Sequence, residues 1–280
     1  MGEVLWLGTG LCHDAGVVGG KAASLSRLAA DHRVPPGFAL SATEAYLDSM
    51  PDGTRDAIRD AYRDLAQRTG TPDLPVAVRS SALDEDGTDS SFAGQHDTYL
   101  NVRGVDAVVD AVQRCIGSAS SPEALDYRVQ RGLSVDDVRI AVLVQQMVMS
   151  DVSAVVFSAN PVTGERDEVM INASWGLGES VVGGIVTPDT YLVAKPDRTV
   201  VWRDVAVKER MTVLNAHGTE EVDTPPELQT VSSLEDSQVC EAAELAIGLE
   251  AIFGFPVDVE CAFAGGILYL LQCRPITTLR

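Results

Sequence analysis

The sequence predicts an α+β protein of two lobes, a helix-rich one over residues 1–140 and a strand-rich one over 141–280. Three observations point there. Segments of helical spacing dominate the first half, the clearest being 54–67, where Ile58, Ala61, Tyr62 and Leu65 share one side and Asp/Arg pairs the other. Short runs of strand character, broken by Gly and Pro, dominate the second half. A length of 280 residues with 45% hydrophobic content supplies enough apolar surface for two modest cores.

Charge and cysteine usage narrow the function classes. Asp and Glu number 41 against 21 Lys and Arg, a formal charge of -20. That balance disfavours a nucleic-acid or anionic-membrane partner, because affinity for phosphate backbones is built from accumulated Lys and Arg. A phosphate ligand would need a local pocket of few cations. The five cysteines, Cys12, Cys115, Cys240, Cys261 and Cys273, are odd in number and lack CxxC spacing, which suggests neither a disulfide framework nor a zinc knuckle. No apolar run approaches the roughly 18–20 residues of a membrane span, and the first residues do not read as a signal peptide. A cytoplasmic protein is expected.

Taken in order, 2–8 reads as a short strand, and a turn through Gly16, Gly19 and Gly20 leads into a helix that begins near Lys21. A helix start with a lysine suits an anion, though GGK also describes a surface lysine after a turn, and Ala22 rules out a Walker motif. Residues 34–38, VPPGF, suggest a stiff extended link, followed by a helix over 41–50. PVAV from Pro75 is a strand ending on Arg79, Ser80 and Ser81, and a polar loop runs from there to Thr98. An arginine beside hydroxyls suits phosphate oxygens; pairing with Asp84 or Asp86 would explain it as well. His96 is a candidate proton carrier or a structural histidine.

Helices are expected over 106–116 and from Ser121-Pro122, then a buried strand over 139–144 leading into Gln145–Val148, which is either a linker or more strand. Residues 155–172 form two strands around a turn at 161–165, ahead of a glycine-rich stretch holding Glu179, an acid that reads as a metal neighbour or as a solvated loop residue. Strands follow through 213, a loop over 215–230, and a helix over 233–253 with Leu245, Leu249 and Ile252 facing inward.

The last stretch, VDVECAFAGGILYLLQCRP from Val257, reads as a β-hairpin turning at Gly265-Gly266. Its odd positions are apolar, and its even positions carry Asp258, Glu260, Gln272 and Arg274. A two-residue loop would pair odd with even and separate Glu260 from Gln272, whereas a three-residue loop at 264–266 with a bulge pairs even with even. The sequence therefore predicts the odd loop, with the four polar groups on one surface suited to a divalent metal and a phosphate. The same pattern also describes an amphipathic hairpin with a surface ion pair.

Five blocks, in order, resemble one family. VGGKAASLSRL with VPPGFALSATEAY, then VAVRSSALDEDGTDSSFAGQHDTYLNV, VLVQQMV, FSANPVTGERDEVMINASWGLGESVVGGIVTPDTYLV, and DVECAFAGGILYLLQCRPITTL are similar to the N-terminal ATP-binding region of phosphoenolpyruvate synthase, pyruvate phosphate dikinase and rifampicin phosphotransferase. The resemblance implies an ATP-grasp-like fold with MgATP in a cleft between two lobes. By motif position it implies that Lys21 and Arg79 hold phosphate oxygens, Thr98 lines the phosphate or ribose side, and Gln145, Met147 and Val148 form the adenine linker. Glu260 and Gln272 would ligate Mg2+, Arg274 would bridge the β and γ phosphates, and Glu179 is a further cofactor-binding candidate. Lys21, Arg79 and Arg274 would be the catalytic cations.

The function so implied is an ATP-dependent phosphotransferase. Its acceptor would be a small molecule or a histidine on a separate partner protein, since the family passes its phosphoryl group to a histidine on another domain. A ligase that makes acyl phosphates, and a non-catalytic nucleotide-binding subunit, are the alternatives.

Overall fold

The computed structural model describes residues 2–44, 50–83, 98–130, 135, 138–216, 218–277 and 279. The chain divides into two compact units, 1–31 with 35–147, and 148–280 with 32–34. The class is α+β, with helices packed on mainly antiparallel sheets.

The first unit contains β1 (Val4–Trp6), α1 (Ala15–Leu28), β2 (Gly37–Glu44), α2 (Asp52–Thr69), β3 (Val76–Ala82), β4 (Thr98–Val102), α3 (Val105–Ser118), α4 (Pro122–Gln130) and β5 (Arg139–Gln146). Its sheet has the order β1-β2-β5-β3-β4. On one face Phe38, Leu40, Val76, Val78, Val142 and Val144 pack with Ile58, Tyr62 and Leu65 of α2 and Val108, Val112 and Ile116 of α3. These are the periodic positions of the two amphipathic helices, and burying them is what holds the unit together. α2 ends at Gly70, whose left-handed φ of 69° closes the helix. α1 packs on the opposite face of the sheet, with Ala22 N–H donating to Ser81 Oγ.

Two expectations are corrected here. Residues 41–44 are not helical but continue β2, where Thr43 and Glu44 pair with Ile140 and Arg139 of β5 beyond the end of the β1 pairing. The ladder to β5 gives these backbone groups partners, which outweighs the local helical signal; residues 45–49 lie outside the described ones. Residues 141–146, assigned from the sequence to the C-terminal lobe, pair between β2 and β3 in the first sheet.

The second unit contains β6 (Val152–Phe157), β7 (Glu168–Trp175), α5 (Glu179–Val182), β8 (Asp189–Ala194), β9 (Val200–Asp204), β10 (Arg210–Leu214), β11 (Thr219–Asp223), α6 (Pro226–Gln229), α7 (Asp236–Phe253), β12 (Val257–Ala264) and β13 (Ile267–Pro275). Six strands form an antiparallel sheet, β13-β12-β6-β7-β8-β9. β10 falls where strands were expected, and its partner β11 and the short α6 occupy the stretch read as loop. Their exposed, largely polar sequence carries no core-facing alternation that would reveal them.

α7 starts with a reciprocal capping box between Glu235 and Gln238. It buries Val239, Ala242, Ala243, Ala246 and Leu249, and its alanines permit close approach to the sheet. Ile252, expected inside, is 60% exposed. The sheet face under α7 is built from Val156, Val169, Ile171, Tyr191, Val193, Val257 and Val259, all buried. Beside it lies an ion pair that composition does not reveal. Lys208 Nζ donates to Asp189 Oδ1 at 2.6 Å with both side chains fully buried, and Asp189 also accepts from the N–H groups of Ala206 and Ser233.

Candidate functional site

The hairpin β12–β13 holds the densest group of candidate residues. Its loop is a two-residue turn, since Ala264 pairs with Ile267 and Gly265 and Gly266 take left-handed φ values of 57° and 75°. Two successive positive φ angles match the twist of the flanking strands, and glycine reaches them without strain. This corrects the three-residue loop. Even-with-even pairing arises instead from a bulge further along β13. Cys261 pairs with Leu270 but Glu260 pairs with Gln272, so Leu271 is the extra residue, and past it Asp258 stands opposite Arg274.

The bulge also decides which residues of β13 face the core. Between loop and bulge, Leu268 and Leu270 are buried and Ile267 is 40% exposed, the reverse of the odd-position expectation. Beyond the bulge the buried apolar residue is Cys273. Burial pushes the Cys261 thiol on this core face up to about 12.

Asp258, Glu260, Gln272 and Arg274 thus share the face of the sheet opposite α7. Arg274 Nε donates to Asp258 Oδ2 at 2.8 Å, and Nη2 stands 2.8 Å from the same oxygen in an ion pair. Asp258 is 7% exposed and its Oδ1 has no hydrogen-bond partner among the described residues. Burial pushes its carboxyl above the ordinary range, while the Arg274 guanidinium pulls the other way. A buried carboxylate gripping the Nε edge of an arginine fixes the direction in which the rest of the guanidinium projects. Asp258 is therefore a part of the site that the family motif did not single out, although parity had placed it there.

Glu260 and Gln272 lie side by side across the strands and offer one carboxylate and one amide oxygen. Among the described residues, no group of three or more His, Cys, Asp or Glu forms a metal cage. Such a donor set fits Mg2+, which keeps waters and takes oxygens from phosphates as well as from one or two protein groups. Glu179 opens α5, whose leading Gly178 would place a Cβ 3.6 Å from the Cβ of Ser153. Ser153 pairs with Ala262 on the same face as Glu260. Glu179 is thereby near the row next to Glu260, with no contact joining the two in the described structure.

In the first unit the structure brings Lys21, Arg79 and Thr98 to one side of the sheet. Arg79 pairs directly with Thr98 across β3 and β4, half-buried beside an exposed threonine. α1 is interrupted at Gly19, whose φ of 75° breaks the helix so that a new turn starts at Lys21. A Cβ on Gly19 would lie 2.2 Å from the Ser81 carbonyl oxygen, so only glycine lets α1 approach β3 here. Lys21 Nζ lies 3.4 Å from the Ser80 carbonyl. The loop with His96, Asp84 and Asp86 is outside the described residues.

Gln145 ends up deeper than a linker residue. It lies in β5, 2% exposed, with Nε2 donating to the Pro35 carbonyl at 3.0 Å. The Met147 N–H donates to the Pro75 carbonyl at 2.9 Å, extending the ladder past the strand. Val148 begins the longer segment of the second unit.

Residues 46–280 match the family model described as pyruvate phosphate dikinase, AMP/ATP-binding domain. The chain belongs to that family. It is 43% identical over 232 residues to a probable phosphoenolpyruvate synthase of Methanocaldococcus jannaschii, covering 82% of this chain and 20% of that protein. A probable phosphoenolpyruvate synthase of Archaeoglobus fulgidus is 39% identical over 99% of this chain and 42% of its own length. A rifampicin phosphotransferase of Streptomyces sviceus is 40% identical over 82% of this chain and 26% of its own length. The chain thus spans less than half the length of these relatives. A Bacillus anthracis D-alanine ligase solved with ATP aligns with 98% of this chain and 58% of that one at 11% identity and a TM-score of 0.35, too loose a likeness to bear on function.

Proposed function

We propose that this AMP/ATP-binding domain binds MgATP and serves an ATP-dependent phosphotransferase. The observation that carries this reading is the register of the hairpin, which sets Glu260 against Gln272 and Asp258 against Arg274 on one face. In this reading Glu260 and Gln272 hold Mg2+, which when bound neutralises phosphate charge. Arg274, aimed by Asp258, meets the β and γ phosphates, and Lys21 and Arg79 meet phosphate oxygens, with Thr98 beside them. Met147, whose N–H is already bonded, offers adenine its carbonyl and side chain, and Val148 its backbone. Gln145 supports the linker by tying β5 to Pro35, and Glu179 flanks the metal.

Charge placement of this kind stabilises a migrating phosphoryl group without a covalent nucleophile on the chain. The acceptor is a small molecule or a histidine on a separate partner protein. The phosphoenolpyruvate synthase and rifampicin phosphotransferase names of the relatives support phosphoryl transfer over ligation.

Calorimetric titration of MgATP into wild type, Glu260→Ala and Arg274→Ala tests this. Both variants should keep the wild-type circular dichroism and lose at least about 10-fold in affinity, the value of one charge-assisted hydrogen bond. Wild-type binding by both would overturn the assignment. Phosphorus NMR then identifies the route, AMP with phosphate for dikinase-like chemistry and ADP for direct transfer.

A further inference from the structure

The row of residues that contains Gln272 and Glu260 does not end at the hairpin. Glu260 pairs with Val155 of β6, Val155 with Asn172 of β7, Asn172 with Thr190 of β8, and Thr190 with Asp204 of β9. Directly opposed residues in antiparallel strands point to the same face. Gln272, Glu260, Val155, Asn172 and Thr190 therefore form one transverse line on the face away from α7. Asn172 stands two strands from Glu260, roughly 10 Å at the usual strand spacing. Val155, the apolar residue between them, makes a floor flanked by a carboxylate on one side and an amide on the other.

The amide is oriented. Thr190 Oγ1 donates to Asn172 Oδ1 at 3.0 Å. The carbonyl end is thereby engaged, which turns the Nδ2 end, with its two N–H donors, outward. An outward amide nitrogen matches an anion and opposes a cation. Both side chains are only half-buried, so the donors are reachable from the open face. The exposed Asp204 stands on the next strand and terminates the anion-receptive part of the row.

We propose that Asn172 is a further anchor for the phosphate chain of the nucleotide, donating from Nδ2 to a phosphate oxygen above Val155, and that Thr190 is the residue that positions it. The inference rests on the reading that Glu260, Gln272 and Arg274 hold MgATP. It adds a contact on the far side of the metal pair, so that the polyphosphate is held from both ends of the Glu260–Asn172 gap.

The test is titration of the 280-residue chain with ATP plus Mg2+ and, separately, with adenosine, for Asn172→Ala, Asn172→Asp, Thr190→Val and Thr190→Ser. Loss of one hydrogen bond to a charged group predicts an ATP affinity about 10–100-fold weaker for Asn172→Ala, with adenosine affinity and the unliganded melting temperature unchanged. Asn172→Asp should weaken ATP at least as much, because it replaces donors by a negative acceptor. Thr190→Val should show a smaller loss of the same kind, and Thr190→Ser should restore it. Retained ATP affinity in Asn172→Ala, equal losses of ATP and adenosine, or ATP binding kept by Asn172→Asp, as a metal ligand would give, each overturns the proposal. Glu260→Ala separates the two readings. If it too binds ATP like wild type, the hairpin assignment fails; if it loses ATP while Asn172→Ala does not, only the anchor fails.

Discussion

At the scale of single residues, two ion pairs in the second unit have opposite consequences. Asp258 and Arg274 are a pair at the surface of the site, 9% and 30% exposed, and removing the carboxylate would release an arginine from its direction without leaving a charge deep inside. Asp189 and Lys208 are fully buried, and the carboxylate takes two backbone N–H groups as well as the ammonium. Lys208→Met leaves that carboxylate without its cation. Breaking a buried pair from one side costs about 3–5 kcal/mol, so denaturant unfolding of Lys208→Met should show a loss of that order. The double replacement Asp189→Asn with Lys208→Met should recover part of it, because no buried charge then remains and the amide oxygen can still accept a backbone N–H. A loss under about 1 kcal/mol, the range of surface pairs, would mean that the pair is solvated in solution.

At the scale of elements, the hairpin shows how one residue decides a face. Side chains alternate with period two, so a one-residue insertion moves everything beyond it to the other side. Gly265-Gly266 forms the tight turn that its left-handed φ values favour, and this turn alone would separate Glu260 from Gln272. Leu271 restores the match. Deleting Leu271 should therefore remove the bulge, leave Gln272 opposite Glu260 and Arg274 opposite Asp258 in a regular ladder, and keep MgATP binding, whereas inserting an alanine between Gly265 and Gly266 shifts the register and should weaken it. Calorimetry on the two variants reads this directly. Binding lost by the deletion would show that the site needs the local twist that the bulge adds, and not the pairing alone.

At the scale of the whole molecule, a net charge of -20 opposes a polyphosphate ligand. In the proposed reading a divalent metal at Glu260 and Gln272 offsets that field, so metal and nucleotide are predicted to bind together. With ATP at a hundredfold its dissociation constant, linkage predicts about 2.7 kcal/mol of stabilisation. Thermal unfolding with ATP and Mg2+ should show the gain, and EDTA should remove most of it. Equal stabilisation with and without the metal would count against Glu260 and Gln272 as ligands. No described helix is long and apolar enough to cross a membrane.

Much of this protein was legible in its sequence because the signals are local. The amphipathic spacing of α2, the Ser121-Pro122 start of α4, the glycine break before Lys21 and the common parity of Glu260 and Gln272 each depend on neighbours within a few residues. The ordered motif blocks likewise sufficed for the family. Only the tertiary structure decided the rest, because those features depend on partners far along the chain. β2 is a strand through Glu44 because β5 pairs with it there, Lys208 is buried because Asp189 waits 19 residues earlier, and Asn172 joins the row of Glu260 because β6 lies between their strands. The hairpin carries both lessons: its parity was written locally, but the Leu271 bulge that realises it appears only when the two strands are laid side by side.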